Sequence, residues 1–125
     1  MTLLVGSYPY QVPIDVYGNG GFRFADMSHK GSLLCLPSGI FAWAPASAGA
    51  LVLADFSAVL ADPGRIGFLL LGTGTQHIMP TSEIRSAFAA AGIGLEPMTT
   101  GSAARTYNIM LAERRKVAAA LIAVE

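Results

Sequence analysis

The chain has few charged residues, and its charges balance. Only 13% of its 125 residues are charged, whereas about 25% are charged in an average soluble domain. Eight basic and eight acidic side chains give a formal net charge of zero. The sequence therefore lacks the broad basic surface typical of nucleic-acid binding, and we expect no nucleic-acid partner. The hydrophobic share of 53% indicates a sheet covered on both faces and a surface shared with a partner.

The sequence also lacks a segment suited to membrane insertion. Its longest weakly polar stretch, residues 40–54, is too short to span a bilayer and is interrupted by Pro45 and Gly49. Residues 1–21 contain neither the basic start and apolar run of a secretory signal nor the arginine-rich pattern of a transit peptide. We therefore expect a cytoplasmic protein without membrane insertion.

Residues that could carry catalysis are scarce and isolated. Cys35 is the only cysteine, so an intramolecular disulfide is excluded, and we expect a small buried residue there. His29 and His77 fall in separate predicted loops, and neither has a second ligand at metal spacing. Ser32 lacks the glycine context of a nucleophile elbow. We predict no catalytic residues, no metal site and no cofactor.

The first half of the chain predicts short strands and turns. Residues 1–20 are expected to be loop-like because prolines and glycines interrupt them. A short strand is predicted at 22–24, a turn at 28–31, and a hairpin from strands 32–36 and 40–44. Residues 55–61 suit a short helix that Asp62-Pro63-Gly64 ends.

The second half alternates more regularly between strands and helices. Residues 66–71 form an apolar strand without a polar face, as in a sheet buried on both sides. A helix begins near Thr81 and stops at Gly92, strand 94–98 and helix 102–115 follow, and strand 117–124 comes last. This spacing predicts a single α/β domain over residues 1–125, with helices on both faces of its sheet.

Helix 102–115 has two distinct faces at about 100° per residue. Its outward side carries Arg105, Ile109 and Ala112. Tyr107 needs a partner for its buried hydroxyl, and Asn108 is expected to bond to a neighbouring loop. The stripe predicted to pack on the sheet consists of Ala103, Ala104, Tyr107, Met110 and Leu111.

A candidate binding surface combines a glycine turn with the start of this helix. The turn follows a buried strand, where open α/β sheets bind ligands, and the helix could offer free N–H groups to an anion. The turn matches neither a Walker loop nor a dinucleotide-binding turn. Alternatively, its glycines serve tight packing, and Thr100 or Ser102 caps the helix. The candidate residues are Gly72, Thr73, Gly74, Thr100, Gly101, Ser102, Arg105, Asn108 and Ile109.

The position of Arg105 is harder to explain by helix stability than that of any other polar residue in the sequence. A positive charge in the first turns of a helix opposes the macrodipole, at a cost of about 0.3–1 kcal/mol. In a functional interpretation, Arg105 points toward the Gly72-Thr73-Gly74 turn and binds an anionic group of a ligand or partner. In a structural interpretation, a carboxylate or backbone carbonyls of the same chain satisfy its guanidinium.

Three segments carry a family resemblance. The most specific runs through Thr100-Gly101-Ser102-Ala103-Ala104-Arg105-Thr106-Tyr107-Asn108 to Glu113-Arg114-Arg115; the others are Gly31-Ser32-Leu33-Leu34 with Pro37 and Trp43, and Leu70-Leu71-Gly72-Thr73-Gly74. From Tyr17 to its end the chain resembles a family of small α/β proteins that includes the mitochondrial third assembly factor of the NADH dehydrogenase (complex I) alpha subcomplex.

The resemblance implies a fold and a class of function. The fold would be a three-layer domain around a mixed, mostly parallel five-stranded sheet whose last strand is antiparallel, with a small N-terminal β-hairpin region. The function would be a non-enzymatic interaction with a protein partner, such as a respiratory-complex subunit, during assembly of that complex. Two alternatives stay open: a protein or enzyme that binds a small anion at the candidate surface, and a homo-oligomer that uses Ile109.

Overall fold

The structure is a computed structural model that describes residues 2–3 and 7–125, with side chains from Tyr8 onward. In chain order, the strands of this part are β1 (Thr2–Leu3), β2 (Ser7–Tyr8), β3 (Val16–Gly18), β4 (Gly21–Phe24), β5 (Met27–Lys30), β6 (Leu33–Leu36), β7 (Gly39–Ala42), β8 (Phe68–Gly72), β9 (Gly94–Met98) and β10 (Val117–Leu121). The α-helices are α1 (Ser57–Leu60), α2 (Ser82–Ala91) and α3 (Thr100–Ala112). Short 3-10 helices occur at Ala48–Ala50, Leu53–Phe56 and Pro63–Arg65.

The larger sheet has five main strands and the two-residue β2 at one edge, in the order β2-β7-β6-β10-β8-β9. β8 runs parallel to both β9 and β10, while β6 is antiparallel to its neighbours β10 and β7. The expected α/β class and mixed five-stranded sheet are confirmed. One detail differs, because the strand that opposes the others is β6 and not the last strand, β10. A helical crossover returns the chain parallel, whereas the tight β6–β7 hairpin reverses it.

Both faces of the larger sheet are buried, as the apolar pattern of β8 predicts. Leu69 and Leu71 point to one face and pack in a cluster with Phe88 of α2. Leu70 points to the other face and packs in a cluster with Tyr107 of α3. Each of these side chains is almost completely buried and contributes about 1.5–3 kcal/mol of hydrophobic free energy. The prediction of a strand without a polar face is confirmed, although the strand begins at Phe68.

The smaller sheet has the order β1-β5-β4-β3, and its Phe22 and Phe24 share a buried cluster with residues of the larger sheet and of α3. Its β3–β4 hairpin turns at Asn19 and Gly20, which both have positive φ, as a two-residue hairpin requires. The expected N-terminal hairpin region is confirmed. The turn predicted at 28–31 is wrong, because Met27–Lys30 form β5 and the chain reverses at Ala25 and Asp26. Both turn residues adopt positive φ; aspartate tolerates this conformation but alanine rarely adopts it, so the local sign of this turn is weak.

The ends of α2 follow the predicted capping signals, whereas the other helices differ from their predicted bounds. Thr81 caps α2 by accepting the Ile84 N–H at 3.4 Å, and Gly92 ends the helix with a φ of 72°. α3 begins at Thr100, before the expected start at Ser102. It stops at Ala112, before the expected end at Arg115, because Arg114 adopts a left-handed conformation with a φ of 59°. The helix expected at 55–61 is a 3-10 turn that leads into α1. The segment before residue 21, expected to be loop-like, contains β1, β2 and β3 within the described residues.

Candidate functional site

The start of α3 and the glycine turn after β8 lie together, and Thr100 joins them. The Thr100 hydroxyl accepts a hydrogen bond from the Gly74 N–H at 3.0 Å and donates one to the Ile122 carbonyl at 2.7 Å. The Thr100 N–H donates to the Gly74 carbonyl at 2.9 Å. Thr100 is completely buried. Its hydroxyl is therefore a structural link between three segments and is not exposed to a ligand.

Thr73 is used in the same way. Its N–H donates to the Met98 carbonyl at 2.8 Å. Its hydroxyl accepts the Ile78 N–H at 3.2 Å and lies within hydrogen-bond distance of the carbonyls of Gln76 and Met98. The side chain is buried. These bonds hold the loop after β8 against the end of β9.

The two glycines of the turn have different roles. A Cβ at Gly72 would lie 3.0 Å from Thr100 Cα and from Leu121 Cδ2, which is tighter than most Cβ contacts, so glycine favours the close approach of α3 and β10 to β8. Gly74 has a φ of 101°, which disfavours other residues, and open space lies beside it. The alternative that these glycines serve a tight turn and close packing accounts for both positions.

The helix cap is neither of the two candidates. Thr99 precedes α3 and accepts the Ser102 N–H at 3.4 Å, and its hydroxyl donates to Ser102 Oγ at 3.1 Å. Thr100 and Ser102 were the alternative cap candidates, and neither is the cap. Thr100 lies one residue inside the helix, because its hydroxyl reaches back to the turn after β8.

A shallow, open depression of about 340 Å³ lies beyond the carboxyl ends of β8 and β10. The loop from Thr73 to Gln76 and the segment after β10 line it, together with Ala46, Ser47 and Ala48. Residues 100–105 do not line it. The crevice expected at this end of the sheet therefore exists, but the start of α3 does not contribute to it.

The second turn of α3 holds the N-terminal segment. The Tyr107 hydroxyl donates to the Val12 carbonyl at 2.7 Å. The Asn108 amide accepts the Ile14 N–H at 2.8 Å and donates to the Ile14 carbonyl at 2.7 Å. The predictions that Tyr107 needs a partner and that Asn108 bonds to a loop are confirmed. Both polar side chains attach the chain before β3 to the helix.

Tyr17 of β3 continues this attachment to the first turn of α3. Its ring lies so close to Gly101 that a Cβ there would overlap the Tyr17 hydroxyl. Arg105 Nη1 donates to the same hydroxyl at 3.3 Å. Neither interpretation of Arg105 named this contact, and Tyr17 was not a candidate. The Asn19-Gly20 pair is a strong hairpin signal that could have placed Tyr17 in a strand.

The outward side of α3 is open, as its predicted faces require. Arg105, Ile109 and Ala112 are all exposed, whereas Ala103, Ala104 and Tyr107 are buried. Ile109 is 60% exposed and Tyr17 is 39% exposed. We call Tyr17, Arg105 and Ile109 the α3 outer surface. Among the candidate residues, Arg105 and Ile109 are the two whose side chains are exposed.

Burial raises the pKa of two titratable groups of the core, Cys35 and Tyr107. Cys35 is completely buried, and burial raises the pKa of its thiol to about 12, so the expected small buried residue is confirmed. Burial also raises the pKa of the Tyr107 hydroxyl, which lies beside the Cys35 thiol. His29 lies in β5 and not in a loop as predicted, and its Nε2 is 3.0 Å from the Ser32 carbonyl.

Comparison with known proteins finds relatives that match most of the chain in sequence. Residues 14–122 match the family described as protein of unknown function (DUF498/DUF598). An uncharacterized protein of Rhodobacter capsulatus is 37% identical over 111 residues, which are 89% of this chain and 84% of that protein. The Rattus norvegicus protein named NADH dehydrogenase (ubiquinone) 1 alpha subcomplex assembly factor 3 is 30% identical over 122 residues. That match covers 98% of this chain but 66% of the rat protein.

Solved structures share the same architecture. The crystal structure of an outer membrane protein from Bartonella henselae has a TM-score of 0.91 and 47% identity, and covers 94% of this chain and 99% of that one. A Bordetella pertussis protein described as a Mth938-like domain has a TM-score of 0.80 and 25% identity, covering 98% and 92%. Within residues 2–3 and 7–125 of this chain, none of the helices is long and apolar enough to cross a bilayer. The chain belongs to the DUF498/DUF598 family of proteins of unknown function.

Proposed function

We propose that this protein is a non-enzymatic interaction protein that assists assembly of a respiratory complex of the complex I type. The observation that carries the proposal is the match to the rat assembly factor along 98% of this chain. The match spans the α3 segment with its Thr-Gly-Ser-Ala-Ala-Arg-Thr-Tyr-Asn sequence. About a third of the rat protein has no counterpart here, so the shared domain would carry the shared part of the role.

The α3 outer surface has the chemistry of a protein contact. Tyrosine and arginine are enriched among residues that dominate binding energy, and an exposed isoleucine beside them adds apolar area. Arg105 and Ile109 are one helical turn apart, so a single partner element can contact both. The complementary partner presents a carboxylate to Arg105 and an apolar side chain to Ile109.

The interior contacts of the candidate site favour binding over catalysis. The hydroxyls of Thr73 and Thr100 are bonded within the chain. The thiol of Cys35 is buried, with its pKa raised, and a thiol is nucleophilic only as the thiolate. The polar groups left exposed at the α3 outer surface suit recognition of another protein.

The test is complementation in the organism from which the chain comes. The gene is deleted, and assembled complex I is measured by native gel electrophoresis and NADH dehydrogenase activity after rescue with variants. Ile109→Gln is expected to restore assembly poorly, because it removes apolar area from the contact. Val52→Gln is the matched control, since Val52 is 57% exposed and lies outside the α3 outer surface.

The outcomes separate the alternatives. Normal assembly of complex I in the deletion strain would refute the proposed role. Equal rescue by both variants would place the contact away from α3. Loss of self-association by Ile109→Gln in analytical ultracentrifugation, with complex I unaffected, would instead indicate a homo-oligomer that uses this face.

A further inference from the structure

The outer face of the smaller sheet contains a depression of about 310 Å³. Residues of three neighbouring strands alternate so that the same side of each one faces outward: Val16 and Gly18 on β3, Gly21 and Arg23 on β4, and Ser28 and Lys30 on β5. All six residues line the depression. The opposite face carries Phe22 and Phe24, which are buried against α3. The depression is therefore set on a rigid, packed support.

Two cations flank the depression, and the Glu125 carboxylate lies near its Gly20 end. Arg23 and Lys30 are exposed, and neither takes part in a salt bridge within the described residues. Arg23 lies opposite Ser28, and Lys30 lies opposite Gly21, so the two cations are diagonal neighbours on adjacent strands. Their Cα atoms are then about 7–8 Å apart, a separation that two long side chains can bridge to a single group. Like charges at this distance repel, and an anion between them would relieve the repulsion.

The floor between the cations is bare backbone. A Cβ at Gly21 would overlap the His29 carbonyl oxygen, so no side chain can fill this position. Gly18 has a φ of 127°, which also favours glycine. Val16 is 53% exposed and forms an apolar wall at the β3 side. The volume is at the lower end of small-molecule sites, which measure about 300–1,000 Å³.

We propose that this depression binds a small organic anion, with a phosphate or carboxylate group held by Arg23 and Lys30. The planar guanidinium of Arg23 suits two parallel hydrogen bonds to either group, and Lys30 supplies a point charge. The short apolar portion of the ligand lies on Val16. The site is on the opposite side of the smaller sheet from α3, and it is independent of the proposed assembly role.

The test is a titration of the ¹⁵N-labelled chain followed by NMR. Three probes that share a phenyl ring are used: phenyl phosphate, benzoate and the uncharged benzyl alcohol. Either anion should shift the amides of residues 18–21 and 28–30 in a saturable way, and benzyl alcohol should not. Binding of only one anion identifies the head group as phosphate or carboxylate. Arg23→Gln and Lys30→Gln should each weaken binding about tenfold or more, because each removes a charge-assisted hydrogen bond.

Arg114→Gln is the control that removes one exposed positive charge elsewhere. It should bind both anions as the unmodified chain does, and the spectra of all three variants should stay dispersed. Failure of both anions to bind would overturn the proposal. Shifts that follow net charge equally in Arg23→Gln and Arg114→Gln would also overturn it, since they would show diffuse attraction. A response to benzyl alcohol equal to that of the anions would exclude anion recognition.

Discussion

Asn108 holds the backbone of Ile14 through both ends of its amide. The Ile14 N–H donates to Asn108 Oδ1 at 2.8 Å, and Asn108 Nδ2 donates to the Ile14 carbonyl at 2.7 Å. The two residues are 94 positions apart in the chain. With the Tyr107–Val12 bond and the Tyr17–Arg105 contact, this pair fixes the segment before β3 along α3.

Replacement of Asn108 by alanine should therefore destabilise the fold. Two partly buried backbone groups lose their partners, at about 1–3 kcal/mol for each group, and the better helix propensity of alanine offsets part of this. We expect a net loss of about 1–5 kcal/mol in the free energy of unfolding, measured by urea denaturation. Ser86→Ala in α2 is the control. A loss no greater than that of the control would show that the amide contributes little.

Thr100→Val should also destabilise the fold, although it keeps the shape of the side chain. The change removes the hydroxyl and leaves the Gly74 N–H and the Ile122 carbonyl without this partner. We expect a loss of about 1–3 kcal/mol in the free energy of unfolding. Thr106→Val, at a half-buried position of the same helix, should change it by less than about 0.5 kcal/mol. If both variants are equally stable, the link between the turn and α3 is unimportant.

Arg105→Ala should leave stability almost unchanged and impair complex I assembly in the complementation assay. The guanidinium is exposed and has a single long hydrogen bond, to Tyr17, and its removal relieves an unfavourable interaction with the helix macrodipole. The free energy of unfolding should therefore change by less than about 0.5 kcal/mol. A loss of several kcal/mol with normal assembly would show that Arg105 is structural.

The stability of the protein should fall in alkaline solution. Burial raises the pKa of Cys35 from an ordinary value of 9.0 to about 12. Above pH 9 the unfolded chain loses this proton while the folded chain keeps it, so rising pH favours unfolding. The free energy of unfolding should decrease by about 1.4 kcal/mol per pH unit between pH 9 and 12 for this group. The raised pKa of Tyr107 acts in the same direction above its ordinary value.

Cys35→Ala tests the origin of this alkaline loss. Its unfolding free energy should decline less steeply between pH 9 and 11 than that of the unmodified chain, by the contribution of one proton. Thermal unfolding over that range measures the slope. An unchanged slope would show that the thiol does not titrate on unfolding. The folded chain should also react slowly with thiol reagents at pH 8, because the thiolate is not formed in the core.

Gly101→Ala should displace Tyr17 without unfolding α3. The new methyl group would overlap the Tyr17 hydroxyl, whereas alanine itself favours a helix by about 1 kcal/mol over glycine. In the Tyr17→Ala background the overlap is absent, so the same change should be more favourable there by about 1 kcal/mol or more. Denaturation of the four chains in this cycle gives the coupling. Additive effects would show that the ring does not rest on Gly101.

The parts of the fold with local signals were predictable from the sequence. The bounds of β9 agree with the prediction residue for residue, and the expected Thr81 and Gly92 cap the two ends of α2. At each end of α2 one residue carries the information: a capping hydroxyl at Thr81 and a glycine in the left-handed region at Gly92. β5 was missed because the turn before it needs a positive φ at Ala25, a residue type that rarely adopts this conformation.

The sequence predicted which segments of the candidate site lie together but not how their polar groups are hydrogen-bonded. The sequence brings the glycine turn and the start of α3 to the same end of the sheet, and the structure places them in contact through Thr100 and Gly74. Whether the Thr100 hydroxyl is free depends on Ile122, which follows β10 and lies beside Gly72. That neighbour follows from the order of strands across the sheet, which local patterns do not determine.

The position of β10 has a consequence for how the chain folds. The last strand in the chain lies at the centre of the larger sheet, with β6 on one side and β8 on the other. Neither the hairpin β6–β7 nor the pair β8–β9 can join the other until residue 121 has left the ribosome. Before β10 is made, β6 and β8 each have an unpaired edge. These edges expose apolar strands that can pair with other chains. The synthesis of this protein therefore has a late step that is vulnerable to aggregation.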